Sequence, residues 1–215
     1  MEYDVAIIGA GVCGAMVARE LSRLNAKVIV LEKCNDISMG TTKANSAIVH
    51  AGFDAKAGSL KAKLNVRGNQ MMENVCKELG VKYKNNGSLV VGFNDEDKAV
   101  LCELLERGQA NNVEGLRIIE KDELHQMEPN LSDDVICALH APTGGIVCPY
   151  TLTISAVGNA MDNGAELKCN FKVCAIEEIE NGYKVSSEND CVNTRYIINC
   201  AGIYSDEIAK MIGDN

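Results

Sequence analysis

The hexapeptide Gly9-Ala10-Gly11-Val12-Cys13-Gly14 constrains this chain more than any other stretch. Its spacing is G-x-G-x-x-G, and it stands directly between two periodic segments. Tyr3 to Ile8 is a short apolar, β-branched run that reads as a buried strand. Val12 to Leu24 carries apolar residues at helical spacing (Val12, Ala15, Met16, Ala18, Leu21, Leu24). Lys27 to Leu31 is a second buried strand, which completes a βαβ unit. In that setting each glycine has a physical task. Gly9 permits the tight turn, Gly11 lets the backbone approach a pyrophosphate, and Gly14 lets the helix pack close to the sheet. The helix N-terminus offers free N–H groups and a positive dipole end to the phosphates. Glu32 closes the second strand eighteen residues after Gly14, near the ~20 expected for an acid that accepts from ribose hydroxyls. A carboxylate there repels a ribose phosphate, which argues against NADP. Asn25 stands where many such units carry glycine, and asparagine also tolerates the left-handed conformation.

The rest of the chain alternates between helical and strand patterns. A loop rich in Gly, Thr, Asn and Ser runs from Asn35 to Ser46, and Ser59 to Leu79 reads as an amphipathic helix closed by Gly80. Gly87 to Phe93 reads as a strand, Asp95 to Ala110 as a charged helix and Val135 to His140 as another strand. Ala141 to Gly145 is turn-rich and reads as a domain crossing. Thr151 to Asn163 returns to helix. Strands follow through Val173, Ala175–Ile179 and Tyr183–Ser186, with a hairpin at Glu180-Asn181-Gly182. Tyr196 to Cys200 reads as a last strand, followed by Ala201-Gly202 and a closing helix from Ser205. There are no repeats.

Composition removes several function classes. The 215 residues carry a formal net charge of −9, so nucleic acid and polybasic membrane docking are not expected. No apolar run approaches the roughly 20 residues that span a bilayer. The first residues lack the basic region of a secretory signal, which predicts a cytoplasmic protein. The ten cysteines include no C-x-x-C pair and no histidine at zinc-finger spacing. Neither a metal site nor a disulfide framework is expected, and most of these cysteines read as small buried hydrophobes.

Three segments give the chain a resemblance to a known family. They are YDVAIIGAGVCGAMVARELSR followed by VIVLEK, Gly40 to Gly52 (GTTKANSAIVHAG), and Ile197 to Gly202 (IINCAG). Together they resemble the FAD-dependent oxidoreductases of the D-amino-acid-oxidase (DAO) type. Ala57 to Leu64 (AGSLKAKL) resembles the branch that holds glycerol-3-phosphate and L-2-hydroxyglutarate dehydrogenases. The resemblance implies an α/β fold: a Rossmann-like βαβ unit with a central parallel sheet, plus a discontinuous α+β substrate domain. It assigns residues 1–80 and 146–215 to the FAD-binding domain and 81–145 to part of the substrate domain. The family's fold is considerably longer, so an N-terminal portion is expected, with a non-catalytic FAD-binding fragment as one alternative.

The same resemblance assigns site residues. Gly9, Ala10, Gly11, Cys13 and Gly14 would receive the FAD phosphates, with Glu32 and Lys33 at the end of the second strand. Thr41, Thr42, Asn45 and Ser46 would hydrogen-bond the pyrophosphate and ribityl chain. Val173 would hold the adenine through its backbone, and Ala201-Gly202 would form a second small-residue phosphate site. His50 is placed beside the flavin ring as a general base, an electrostatic neighbour or a covalent ligand; a histidine on an apolar strand is otherwise a core residue. Lys61, Lys63 and Arg67 read as a solvated helix face, as do Asp95 to Asp97. The implied reaction is hydride removal from a small anionic hydroxy compound to flavin N5, with glycerol 3-phosphate ahead of a 2-hydroxy acid. The substrate's charge calls for an arginine or lysine clamp, and none is identifiable by spacing. The residues name no electron acceptor. An NAD-dependent enzyme would instead carry a His or Tyr-Lys constellation after the βαβ unit, which is not found.

Overall fold

A computed structural model describes residues 2–213. In chain order the elements are β1 (Tyr3–Ile8), α1 (Val12–Leu21), β2 (Val28–Leu31), β3 (Ile48–Val49), α2 (Leu60–Glu78), β4 (Tyr83–Lys84), β5 (Ser88–Gly92), α3 (Asp95–Ala110) and β6 (Arg117–Glu120). They continue with α4 (Lys121–Met127), β7 (Cys137–Ala141), β8 (Gly145–Val147), α5 (Pro149–Asp162), β9 (Glu166–Lys168), β10 (Ala175–Ile179), β11 (Gly182–Ser186), β12 (Cys191–Asn199) and α6 (Ser205–Lys210). The chain divides into two compact units. One holds the residues up to Ser46, Leu79–Val81 and those from Cys148 onward; the other holds Ala47–Glu78 and Lys82–Val147.

The first unit is built on a six-stranded sheet of order β10-β11-β12-β1-β2-β9. Its centre is parallel: β1 pairs with β2 (Ile8 opposite Leu31) and with β12 (Ile8 opposite Asn199). Alternation sends Ala6 and Ile8 to one side with Phe171 and Val185, and Val5 and Ile7 to the other with Ala18 and Ala160. Both faces of β1 are therefore covered, which is why its sequence is apolar almost throughout. Helix α1 packs on α5 through Ala15, Ala156 and Val157, small residues that let the helices approach.

The second unit carries two three-stranded sheets, β3-β8-β4 and β5-β7-β6. Strand β7 is central in the latter. Its Cys137, Leu139 and Ala141 face Leu101 of α3, and its Ala138 faces Leu124 of α4. Asn94 starts α3: its Oδ1 accepts from Asp97 N–H at 2.8 Å, while Asp97 Oδ2 accepts from Phe93 N–H at 2.9 Å. The acidic first turn is thus matched to the helix dipole.

Several expectations need correction. Helix α1 stops at Leu21, where the Ser22 hydroxyl donates to the Arg19 carbonyl, and Leu24 is exposed. Asn25 does not take the left-handed conformation. Strand β12 starts at Cys191, five residues before Tyr196, because its polar first half pairs with β11 while its second half pairs with β1. Val173 lies between β9 and β10 and belongs to no strand. Gly145, expected as the end of a turn-rich stretch, instead opens β8, the middle strand of the small sheet; it admits the Tyr83 ring and the Lys84 carbonyl where a Cβ would collide. Strand β6 and helix α4 were not expected from their charged sequence. Of the ten cysteines only Cys76 and Cys137 are fully buried; Cys34, Cys169 and Cys200 are half-buried, the other five are exposed, and none is in a disulfide.

Candidate dinucleotide cradle and the His50 strand

Parallel pairing in the first unit brings the ends of β1, β2 and β12 to one edge of the sheet. Gly9 N–H donates to the Leu31 carbonyl and Cys200 N–H to the Ile8 carbonyl, both at 2.8 Å. Gly9 has φ +105, and a Cβ there would sit 2.4 Å from the Cys200 carbonyl oxygen. A Cβ on Gly14 would lie 1.9 Å from the Gly9 carbonyl oxygen. Both glycines are demanded by the protein's own backbone. Gly11 differs: its φ of −73 and ψ of 178 suit any residue, and a Cβ would meet only Thr42 Oγ1 at 3.1 Å. Room above the loop is what Gly11 supplies.

Glu32 is buried, and both of its oxygens are held. Oε2 accepts from Ala10 N–H at 2.8 Å and Oε1 from Cys34 N–H at 2.9 Å. A carboxylate has about four acceptor positions, so capacity remains for two further donors. Burial, reinforced by the bond to Glu32 and its charge, pushes the Cys34 thiol up. Thr42, also buried, accepts from Val12 N–H at 3.0 Å and so ties the Thr41–Lys43 turn to the start of α1. Asn45 folds back on that turn, its amide donating to the Thr42 carbonyl at 2.8 Å and the Thr41 carbonyl at 3.2 Å. Thr41 and Ser46 are exposed. Lys33 is exposed too, its ammonium 3.5 Å from the centre of the Tyr204 ring. Ala201-Gly202 opens the Gly202–Tyr204 turn, with Gly202 at φ +62.

The cradle fits a dinucleotide on the structure's own terms. The N–H groups of Gly11, Cys13 and Gly14 have no hydrogen-bond partner among the described residues, while those of Ala10 and Val12 are taken by Glu32 and Thr42. Three donors at a helix N-terminus suit a pyrophosphate. Val173 is buried, yet neither its N–H nor its carbonyl has a partner among the described residues. Its segment runs beside Glu32, because Phe171 N–H donates to the Glu32 carbonyl at 2.8 Å. An adenine edge, with a donor beside an acceptor, would satisfy both groups. Ser38 has φ +63, and its buried hydroxyl has no partner among the described residues; its N–H donates to the Ala10 carbonyl. No three His, Cys, Asp or Glu side chains converge as metal ligands would among the described residues. Nor is any described helix long and apolar enough to cross a membrane.

His50 belongs to the second unit. It follows β3 directly and is exposed, as a reactive side chain would need to be. Its carbonyl accepts from two amides of helix α2, Asn65 at 2.9 Å and Asn69 at 3.2 Å, and Asn69 also donates to the Thr143 carbonyl at 2.8 Å. These asparagines were missed by sequence reasoning. Two poor helix formers four apart inside α2 were the available signal.

Comparison with known proteins shows the family. The family model described as FAD dependent oxidoreductase (DAO) matches residues 4–215. Glycerol 3-phosphate dehydrogenase of Caloramator mitchellensis is 47% identical over 213 residues, covering 99% of this chain and 44% of that protein. The mitochondrial L-2-hydroxyglutarate dehydrogenase of Pongo abelii is 32% identical, with 98% and 53% covered. The dithionite-reduced L-α-glycerophosphate oxidase of Mycoplasma pneumoniae, solved with FAD bound, superposes with a TM-score of 0.92 at 30% identity, covering 98% of this chain and 57% of that one. The chain spans about half the length of the curated relatives it matches. With its parallel βαβ core and a family model matched over nearly its whole length, the chain belongs to the DAO family of FAD-dependent oxidoreductases.

Proposed function

We propose that this chain supplies the FAD-binding half of an enzyme that oxidises the hydroxyl-bearing carbon of glycerol 3-phosphate. The observation that carries the reading is the row of N–H groups at Gly11, Cys13 and Gly14 that have no partner among the described residues, above a sheet edge that ends in buried Glu32. Gly9 and Gly14 shape the loop, Ala10 is locked by Glu32, and the three free N–H groups receive the pyrophosphate. Glu32 accepts from the adenosine ribose hydroxyls, and the neighbouring Lys33 lends positive charge. Thr41, Thr42, Asn45 and Ser46 line the path of the pyrophosphate and ribityl chain; Val173 pairs with the adenine and Ala201-Gly202 admits a phosphate oxygen. Bound FAD supplies the two-electron acceptor. His50 takes the proton of the substrate hydroxyl, its backbone steadied by Asn65 and Asn69. The substrate is small and anionic, as it is for the relatives named after glycerol 3-phosphate and L-2-hydroxyglutarate. We place the reaction in the cytoplasm, a reading supported by ten unpaired cysteines.

The test is anaerobic mixing of the FAD-loaded protein with each substrate while the flavin's visible bands are followed. Rapid bleaching by glycerol 3-phosphate is expected. Faster bleaching by L-2-hydroxyglutarate would transfer the assignment to the 2-hydroxy acid, and bleaching by neither would overturn it.

A further inference from the structure

The small sheet of the second unit has one open face. Ile146, in the middle strand β8, lies opposite Ile48 of β3 and Lys84 of β4. Residues directly opposite one another share a face, so these three form a row across the sheet. All three are exposed, Ile48 at 43% and Ile146 at 42%, whereas Val49, Gly145 and Val147 on the other face are buried. His50 stands two residues after Ile48, so alternation returns it to the side of Ile48, and it too is exposed.

The row therefore runs from an imidazole, across two apolar side chains, to an ammonium. Strands lie about 4.8 Å apart, so β3 and β4 are separated by roughly 10 Å. That suits a short carbon chain with a reacting hydroxyl at one end and a charge at the other, once the reach of a lysine is included. Lys84, like several other surface lysines, has no carboxylate partner among the described residues, and it is the cation of this row. In a chain of net charge −9, a lysine that no carboxylate neutralises, flanking exposed isoleucines, is suited to an anion.

We propose that Lys84 binds the anionic group of the substrate, phosphate ester or carboxylate, on the Ile48–Ile146 face. The inference rests on the reading above that the substrate is a small hydroxy anion, and it names the cation which that reading requires.

The test uses the FAD-loaded holoprotein in two measurements. In the first, inorganic phosphate is titrated and the perturbation of the flavin spectrum gives its affinity. In the second, KM is compared for glycerol 3-phosphate and for uncharged glycerol. Loss of a charged hydrogen bond predicts that Lys84→Met weakens phosphate binding and raises KM for the ester by about 10- to 100-fold, while KM for glycerol stays within about twofold. Lys84→Arg should retain most of the affinity, and Lys77→Met, on exposed α2 surface, should match the wild type. Wild-type protein that shows no phosphate perturbation would overturn the proposal. So would a Lys84→Met or Lys84→Gln variant with normal flavin content and wild-type affinity for both anions. If phosphate binds in a Lys84-dependent way but neither ester nor 2-hydroxy acid bleaches the flavin, the anion site stands and the proposed reaction falls.

Discussion

The carboxylate of Glu32 holds the backbone of Ala10: Oε2 accepts the Ala10 N–H at 2.8 Å, and the other oxygen accepts the Cys34 N–H at 2.9 Å. One buried side chain thereby fixes both the glycine loop and the segment that leaves β2. Glu32→Ala strands two donors, and unsatisfied buried groups cost about 1–3 kcal/mol each. Urea unfolding should show a loss of about 2–4 kcal/mol for Glu32→Ala and a smaller loss for Glu32→Gln, which keeps one acceptor. Equal stability of Glu32→Ala and wild type would show that the loop does not depend on this anchor.

Gly14 and Gly11 separate folding from binding. A Cβ on Gly14 would lie 1.9 Å from the Gly9 carbonyl oxygen, whereas on Gly11 it would meet only the Thr42 hydroxyl at 3.1 Å. Gly14→Ala should lower Tm markedly, with FAD affinity falling as a consequence. Gly11→Val should leave Tm within a few degrees of wild type and still abolish FAD binding. Parallel losses of Tm in both variants would refute the distinction.

The parts of the fold that could be read from residues are those enforced within a short stretch. The strand before Gly9, the helix after Gly11 and the acid at position 32 sit within one βαβ unit, where strand and helix periodicities change abruptly. Helix α3 was visible because Asn94 and its acidic first turn announce a start. Strands β4 and β8 were hidden because each has only two or three residues and takes its register from contacts remote in sequence, such as Tyr83 against Gly145, whereas β3 was legible as the short apolar strand that ends at His50. The same holds for the site. Gly9, Gly11 and Glu32 were legible, but Asn65 and Asn69 acquire meaning only once α2 is laid against the His50 carbonyl. Val173 was named on position alone, and the strand expected for it is absent; its unpaired backbone is visible only in three dimensions.

His140 makes the stability of the second unit depend on pH. Burial, helped by the Arg117 charge and opposed by Glu123, lowers the pKa of this histidine below its ordinary value. As pH falls from about 7, the unfolded chain takes up a proton at about 6.5, before the folded protein does. The unfolded state then holds more protons, so stability declines through this window and levels off below the folded-state pKa. Chemical denaturation between pH 7 and 5 should show that decline, and His140→Leu should flatten it. An unchanged slope in the variant would assign the effect elsewhere.

Cys148 should be the most reactive thiol. It is exposed at the start of α5, where the Thr151 hydroxyl and the first N–H groups of the helix face the sulfur and hold its thiol below the ordinary range. Burial pushes Cys76, Cys137 and Cys200 the other way. Limiting iodoacetamide at neutral pH, followed by peptide mapping, should alkylate Cys148 first, and Thr151→Val should slow it. Labelling of exposed Cys102 ahead of Cys148 would contradict this.

Everything proposed for the cradle depends on FAD seating at Gly11, Cys13 and Gly14. The most direct measurement is the visible absorbance of the purified protein after incubation with FAD and removal of unbound cofactor. Stoichiometric flavin is predicted for the wild type and none for Gly11→Val. Wild-type protein that emerges colourless, or a Gly11→Val variant that retains full flavin, would contradict the account.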